Sequence, residues 1–234
     1  MTKTKQQIND IYEALQALHS EEKRLFLPRF FKTGEGEYGE GDRFMGVVVP
    51  NIRLVAKEFK HAPLATVKGL LASTWHEMRE CGLFILTLQC RKEVSREVFD
   101  FYLSMTARIN NWDLVDLSAP QIVGGYLLDK PRDILYRLAE SPLLWDNRIA
   151  MVATAAFIRR GDLEDTYQLA VKMMGHPHDL MHKAIGWMLR EAGKKDAERL
   201  YDFVEAHRRE MPRTMLRYAI EKFDQPTRQW LMRK

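Results

Sequence analysis

The sequence predicts an all-α fold, and three observations carry that reading. Apolar residues recur at three- and four-residue spacing along nearly the whole chain. No stretch shows sustained apolar/polar alternation between turn signals, the mark of a half-buried strand. The breaks between periodic segments are short and chemically sensible, with Asn111 as a candidate N-cap, Pro131 and Pro142 at interruptions, and Gly161-Asp162 as a stop and restart.

Taken in order, the periodicity predicts helices over 4–18 and 21–32, followed by the one long loop-like stretch, TGEGEYGEGD at 33–42. That glycine-rich stretch has no preceding strand and no Lys-Ser or Lys-Thr ending, so phosphate-loop and dinucleotide patterns do not apply. It reads as a flexible, exposed loop. Helices are then predicted over 51–61, 63–72, 75–92, 95–108 and 112–127, with Asn111 capping the last. After Pro131 come 131–140, 144–160, 162–174, 179–193, 196–210, 213–223 and 226–232. Such a succession fits either an irregular bundle or an α-solenoid of HEAT-like antiparallel helical pairs. Trp75, Trp112, Arg148 and Trp187 lie 37, 36 and 39 residues apart, close to the roughly 40- to 47-residue HEAT and armadillo periods. In a solenoid they would occupy equivalent positions on inner helices and line one concave face. No strict repeat sequence accompanies the spacing, and the whole of 1–234 reads as a single domain.

Composition narrows the classes. The 46% hydrophobic and 29% charged content belongs to a globular protein. No apolar run approaches the roughly 20 residues needed to cross a bilayer, and MTKTKQQIND is too polar for a signal peptide. The expectation is a cytoplasmic, nucleoid-associated protein with no membrane partner. Cys81 and Cys90, nine positions apart, would be separated by about 13 Å of helical rise. They read as buried, reduced thiols rather than a disulfide.

The net charge is +4 and the pI near 9.0. Four acids cluster early, in GEGEYGEGD, whereas Arg159, Arg160, Lys183, Arg190, Lys194, Lys195, Arg208, Arg209, Arg213 and Arg217 all lie in the later half. A polyanionic partner or a set of solvated helix faces would each account for that bias.

Three constellations could carry chemistry. In INNWDLVDL, 109–117, a cap precedes a helix with Trp112 and Asp116 one turn apart, so one face presents an indole beside a carboxylate. Asp113 has an ordinary role as an N-terminal acid, and Asp116 reads as either a salt-bridged surface acid or a functional group. In LLWDNRIAMVATAAFIRR, 143–160, Arg148 heads an apolar helix and needs a partner, either an interhelical acid such as Asp116 or a phosphate. In KAIGWMLREAGKK, 183–195, Trp187 and Arg190 share a face beside Gly186, suiting either core packing or a nucleotide with its phosphate. GHPHDLMH offers His178 and His182 at ligand spacing but no general-base glutamate between them, and no metal site is expected.

The segments NNWDLVD, WDNRIAMVA and KAIGWMLRE, with GVVVPNIRLVAK at 46–57, resemble the AlkD-type DNA glycosylases of the HEAT-like repeat superfamily from about residue 10 to residue 223. The resemblance implies a HEAT-like solenoid whose concave face binds duplex DNA containing alkylated bases. It also implies hydrolysis of the N-glycosidic bond of cationic N3- or N7-alkylated purines without base flipping. Asp116 would be the catalytic carboxylate, Trp112 and Trp187 would flank the deoxyribose, and Arg148 would hold the adjacent backbone. Arg190 matches a phosphate contact, with Arg53, Arg159, Lys194 and Arg213 as further DNA contacts. No metal or organic cofactor is implied, and a monomer is expected. In LPRFFKTG, Phe30 or Phe31 stands where the family often has a lesion-side tyrosine, so a hydroxyl contact is lost. The alternative is a non-catalytic HEAT-repeat scaffold for DNA or protein, against which retention of the Asp116 carboxylate argues.

Overall fold

The computed structural model describes residues 2–233 and divides into two compact units, one ending at Ile122 and the other beginning at Val123. Both are built from α-helices. No β-strand occurs among the described residues; one isolated bridge pairs Arg43 with Trp75. No helix is long and apolar enough to cross a membrane.

The first unit holds α1 (Lys3–Gln16), α2 (Glu21–Phe30), α3 (Val49–Glu58), α4 (Leu64–Leu71), α5 (His76–Gln89), α6 (Arg96–Ser104) and α7 (Trp112–Ala119). Helix α5 is its axis, buried from His76 to Thr87 and packed by α3, α4, α7 and α1. Cys81 and Cys90 are both buried free thiols, as their apolar surroundings in the sequence suggest. The second unit holds α8 (Asp133–Ala139), α9 (Leu144–Ala153), α10 (Ala155–Arg159), α11 (Glu164–Lys172), α12 (Asp179–Gly193), α13 (Ala197–His207), α14 (Arg213–Ala219) and α15 (Gln225–Leu231). There α12 is central, packed by α14, α9, α13 and α11.

Caps follow the side chains available. Ser20, Ser95, Asn111, Asp196 and Asp224 each accept from a backbone N–H in the first turn of the helix they precede. Gly161 takes φ +82°, the left-handed conformation that ends the α10 segment.

Three helices expected from the sequence are interrupted; that over 95–108 ends at Ser104 and gives way to a separate 3-10 turn at Thr106–Arg108. The 112–127 helix stops at Ala119, and Pro120–Gly124 forms a π-helical turn. Pro120 has no N–H to return to residue 116, so the α ladder cannot continue through it. The 144–160 helix breaks at Thr154, whose hydroxyl donates to the Met151 carbonyl at 2.7 Å. Gly124 lies against this break, where a Cβ would collide with the Ala153 carbonyl.

The four residues spaced by 36 to 39 positions do not share a helical register. Trp75 caps α5 and Trp112 begins α7, whereas Arg148 and Trp187 lie in the middle of α9 and α12. Helix lengths and interruptions differ between the pairs, so equal spacing in sequence does not give equal position.

Candidate active site

The first unit builds a cavity of about 480 Å3 from four pieces of chain: the end of α2, the segment running into α3, and the N-terminal turns of α5 and of α7. The segment 44–47 is held by Glu77, whose carboxylate accepts from the backbone N–H groups of Met45 (3.0 Å), Gly46 (2.8 Å) and Val47 (3.2 Å). Gly46 adopts φ +89°, and a Cβ there would collide with the backbone of Ser20 and Arg24, so only glycine lets this segment lie against α2.

Aromatic rings form one wall. Phe31 is stacked on Trp112 (centroids 5.4 Å, 20° between planes) and on Phe44 (5.0 Å, 16°). Phe44 in turn stacks on His76 at 4.7 Å, and Phe30 meets Trp112 edge-on at 6.0 Å with half its surface exposed. The two phenylalanines therefore divide the work: Phe31 is packed behind Trp112, and Phe30 stands at the mouth.

Behind the rings runs a buried chain of charges. Arg79 Nη2 donates to Asp42 Oδ1 at 2.6 Å. His76 Nδ1 donates to Asp42 Oδ2 at 3.0 Å, and its Nε2 donates to Asp113 Oδ2 at 2.7 Å. Burial opposes charge on His76, but the carboxylates of Asp113 and Asp42 outweigh it and raise its pKa to about 10. It is an imidazolium at neutral pH. Burial works against the Asp42 carboxylate too, yet the bond from His76 and the charge of Arg79 hold its pKa below the usual value. Glu80, almost fully buried, is pushed up to about 8, first by burial and then by the Asp113 charge. A proton on Glu80 relieves repulsion between the two carboxylates.

His76, Glu80 and Asp113 bring potential ligand atoms within 4.8 Å of one another. Both His76 ring nitrogens are engaged by the Asp42 and Asp113 carboxylates, so a metal ion at this cluster would have to displace a proton. The His176–His182 stretch is likewise occupied by structural bonds. His178 accepts from the Leu180 N–H as the cap of α12, and His182 Nε2 bonds the His176 carbonyl at 2.6 Å.

Trp112, Asp116, Phe30 and Arg53 all line the cavity. Trp112 and Asp116 are half-buried, one turn apart on α7, and the Arg53 guanidinium lies over the Phe84 ring at 4.9 Å. Arg53 also borders a neighbouring hollow of about 410 Å3 with Lys57 and Arg91.

The remaining candidates belong to the second unit. Arg148 is 5% exposed, and its Nη1 donates to the Leu180 carbonyl at 2.7 Å. Trp187 is half-buried on α12. Arg190 is ion-paired with Glu221, Lys194 with Glu191 at 2.7 Å, and Arg213 donates to the Met232 carbonyl at 2.7 Å; Arg159 is exposed.

Sequence reasoning missed His76, Asp42, Glu80 and Phe44. The available signal was the charged run HEMRE opening an otherwise apolar helix, since acids and bases at buried positions require partners.

A family model described as DNA alkylation repair enzyme matches residues 11–223. A solved structure from Enterococcus faecalis, described as a predicted DNA alkylation repair enzyme, superposes with a TM-score of 0.73 at 14% identity. The match covers 88% of this chain and 97% of that one, and it shows a shared all-helical, solenoid-like fold. No curated protein matches the sequence.

Proposed function

Because the chain belongs to the DNA alkylation repair enzyme family, we propose that it is a DNA glycosylase hydrolysing the N-glycosidic bond of cationic N3- or N7-alkylated purines in duplex DNA. The observation that carries the reading is the pairing of Asp116 with Trp112, one turn apart on α7 in the wall of an aromatic cavity.

Alkylation gives the base a positive charge, which makes it a good leaving group. As the bond between C1′ and the ring nitrogen breaks, its electron pair neutralises the base and positive charge develops on the sugar. The Asp116 carboxylate stabilises that charge. At about 4 Å and an effective dielectric near 20 the attraction is about 4 kcal/mol, equivalent to roughly three decades in rate. Water adds to C1′, and its proton passes to Asp116 or to solvent.

Trp112 offers the sugar an indole face, with a cation–π contribution of about 0.5–2 kcal/mol. The resemblance assigns Trp187 as the second indole and Arg148 as the holder of the adjacent backbone. It also leaves the lesion within the duplex during cleavage. Arg53, Arg159, Arg190, Lys194 and Arg213 supply positive charge for phosphates, Arg190 and Lys194 by exchanging their glutamate partners. Methylated duplex DNA tests the reading: the protein releases 3-methyladenine or 7-methylguanine and leaves abasic sites. Duplex binding without release would overturn it.

A further inference from the structure

The hollow of about 410 Å3 beside the catalytic cavity is walled by α3, the last turns of α5 and the stretch from Leu117 to Gln121. Arg53, Phe84 and Leu117 line both spaces, so the two meet at a shared ridge. The charge of the hollow is of one sign. Arg53 and Lys57 stand one turn apart on α3, Arg91 follows the cap of α5, and no acid is among the lining residues. All three cations are exposed and none has a carboxylate partner among the described residues, whereas Arg190 and Lys194 of the second unit are held by Glu221 and Glu191. The Phe84 ring, 4.9 Å from the Arg53 guanidinium, holds the arginine at the ridge and leaves its N–H donors unused. Gln121 Nε2 donates to the Thr87 carbonyl at 2.6 Å, so this carbonyl of the last α5 turn does not compete for the cations. Glu80, the acid nearest in influence to Arg53, is raised to about 8, first by burial, and carries little charge at neutral pH.

Resting on the glycosylase reading, we propose that this hollow seats backbone phosphates of the strand whose sugar meets Asp116, with Lys57 and Arg91 as positioning residues. A strand that presents a deoxyribose to Asp116 carries phosphates directly beside that sugar. Leaving the cavity over the ridge, it meets Arg53 first and Lys57 and Arg91 after it. Guanidinium and ammonium groups grip phosphate oxygens through charge-assisted hydrogen bonds, and the exposed Leu54 offers apolar surface to the intervening sugars. Contacts of this kind fix the register of a strand and read no sequence. They suit an enzyme that meets its lesion in any sequence and must bring one sugar to one carboxylate.

The test is affinity of the full chain for a duplex carrying an uncleavable 3-deaza analogue of 3-methyladenine, followed by fluorescence anisotropy over a range of salt. The double variant Lys57→Gln with Arg91→Gln should bind about tenfold more weakly at about 0.1 M salt, and its slope of log affinity against log salt should be shallower by about 2. Lys57→Arg with Arg91→Lys keeps both charges and should keep the slope. Lys3→Gln with Lys5→Gln removes the same charge from the exposed face of α1 and should leave the slope unchanged, with unfolding curves confirming that every variant is folded. Neutral methylphosphonates beside the lesion on its own strand should weaken binding by the natural protein and have little further effect on the glutamine variant. An unaltered slope in that variant, or an equal loss in the α1 variant, overturns the phosphate seat. Coupling to methylphosphonates on the opposite strand alone overturns the strand assignment. These outcomes leave the glycosylase reading standing wherever the natural protein excises the base. A protein that shows the expected slopes without excision instead removes the glycosylase reading and keeps the phosphate seat.

Discussion

His76 holds two protons between two carboxylates, and this makes it the residue through which pH reaches the cavity. Its pKa rises from 6.5 unfolded to about 10 folded, so the folded state binds that proton more tightly. The associated stability is complete below about pH 6.5 and is lost as pH rises through about 10. Glu80, raised from 4.5 to about 8, acts in the same direction, its share declining from about pH 4.5 through 8. Asp42 has the opposite sign: its lowered pKa gives stability above about pH 3.8 that fades on acidification. Thermal unfolding between pH 6 and 10 should therefore show falling stability, and His76→Gln should flatten the slope. An equally steep slope in the variant would contradict the imidazolium assignment. Trp112 and Asp116 were legible in the sequence because one short helix contains both. The His76 chain was not, because its partners Asp42 and Asp113 lie 34 and 37 positions away, and no local pattern encodes contacts of that separation.

Among the elements, the extended segment 44–47 contributes most to the cavity with the least regular structure. It has no strand partner, and the N–H groups of Met45, Gly46 and Val47 are satisfied by the Glu77 carboxylate. Removing that acceptor strands several buried donors together, so Glu77→Ala should cost more than about 3 kcal/mol in chemical unfolding. A loss under 1 kcal/mol would mean the segment is held some other way. Gly124→Ala should cost about 1–3 kcal/mol, because a methyl group there meets the Ala153 carbonyl. Most helices were legible from apolar spacing and caps. The break at Thr154 was not, because periodicity records which face is buried and carries on through a local change in hydrogen bonding, whereas the one at Pro120 was signalled by the proline itself, which the periodic reading ran through.

At the scale of the whole molecule, all-helical architecture could be read from periodicity alone, and the family match extends over residues 11–223. Repeat position could not be read from spacing, since Trp75, Trp112, Arg148 and Trp187 occupy different registers. Charge also belongs to this scale. A net +4 that falls in the later half of the chain predicts duplex binding that weakens linearly on a log-log plot against salt. Affinity independent of salt would remove the phosphate contacts assigned to Arg53, Arg159, Arg190, Lys194 and Arg213. The proposed catalysis rests on one carboxylate. Its most direct test compares the rate of 3-methyladenine release from methylated duplex DNA by the natural protein and by Asp116→Asn, with duplex affinity measured alongside. Release should fall by about a hundredfold or more at unchanged affinity, whereas equal rates from the two proteins would contradict the account.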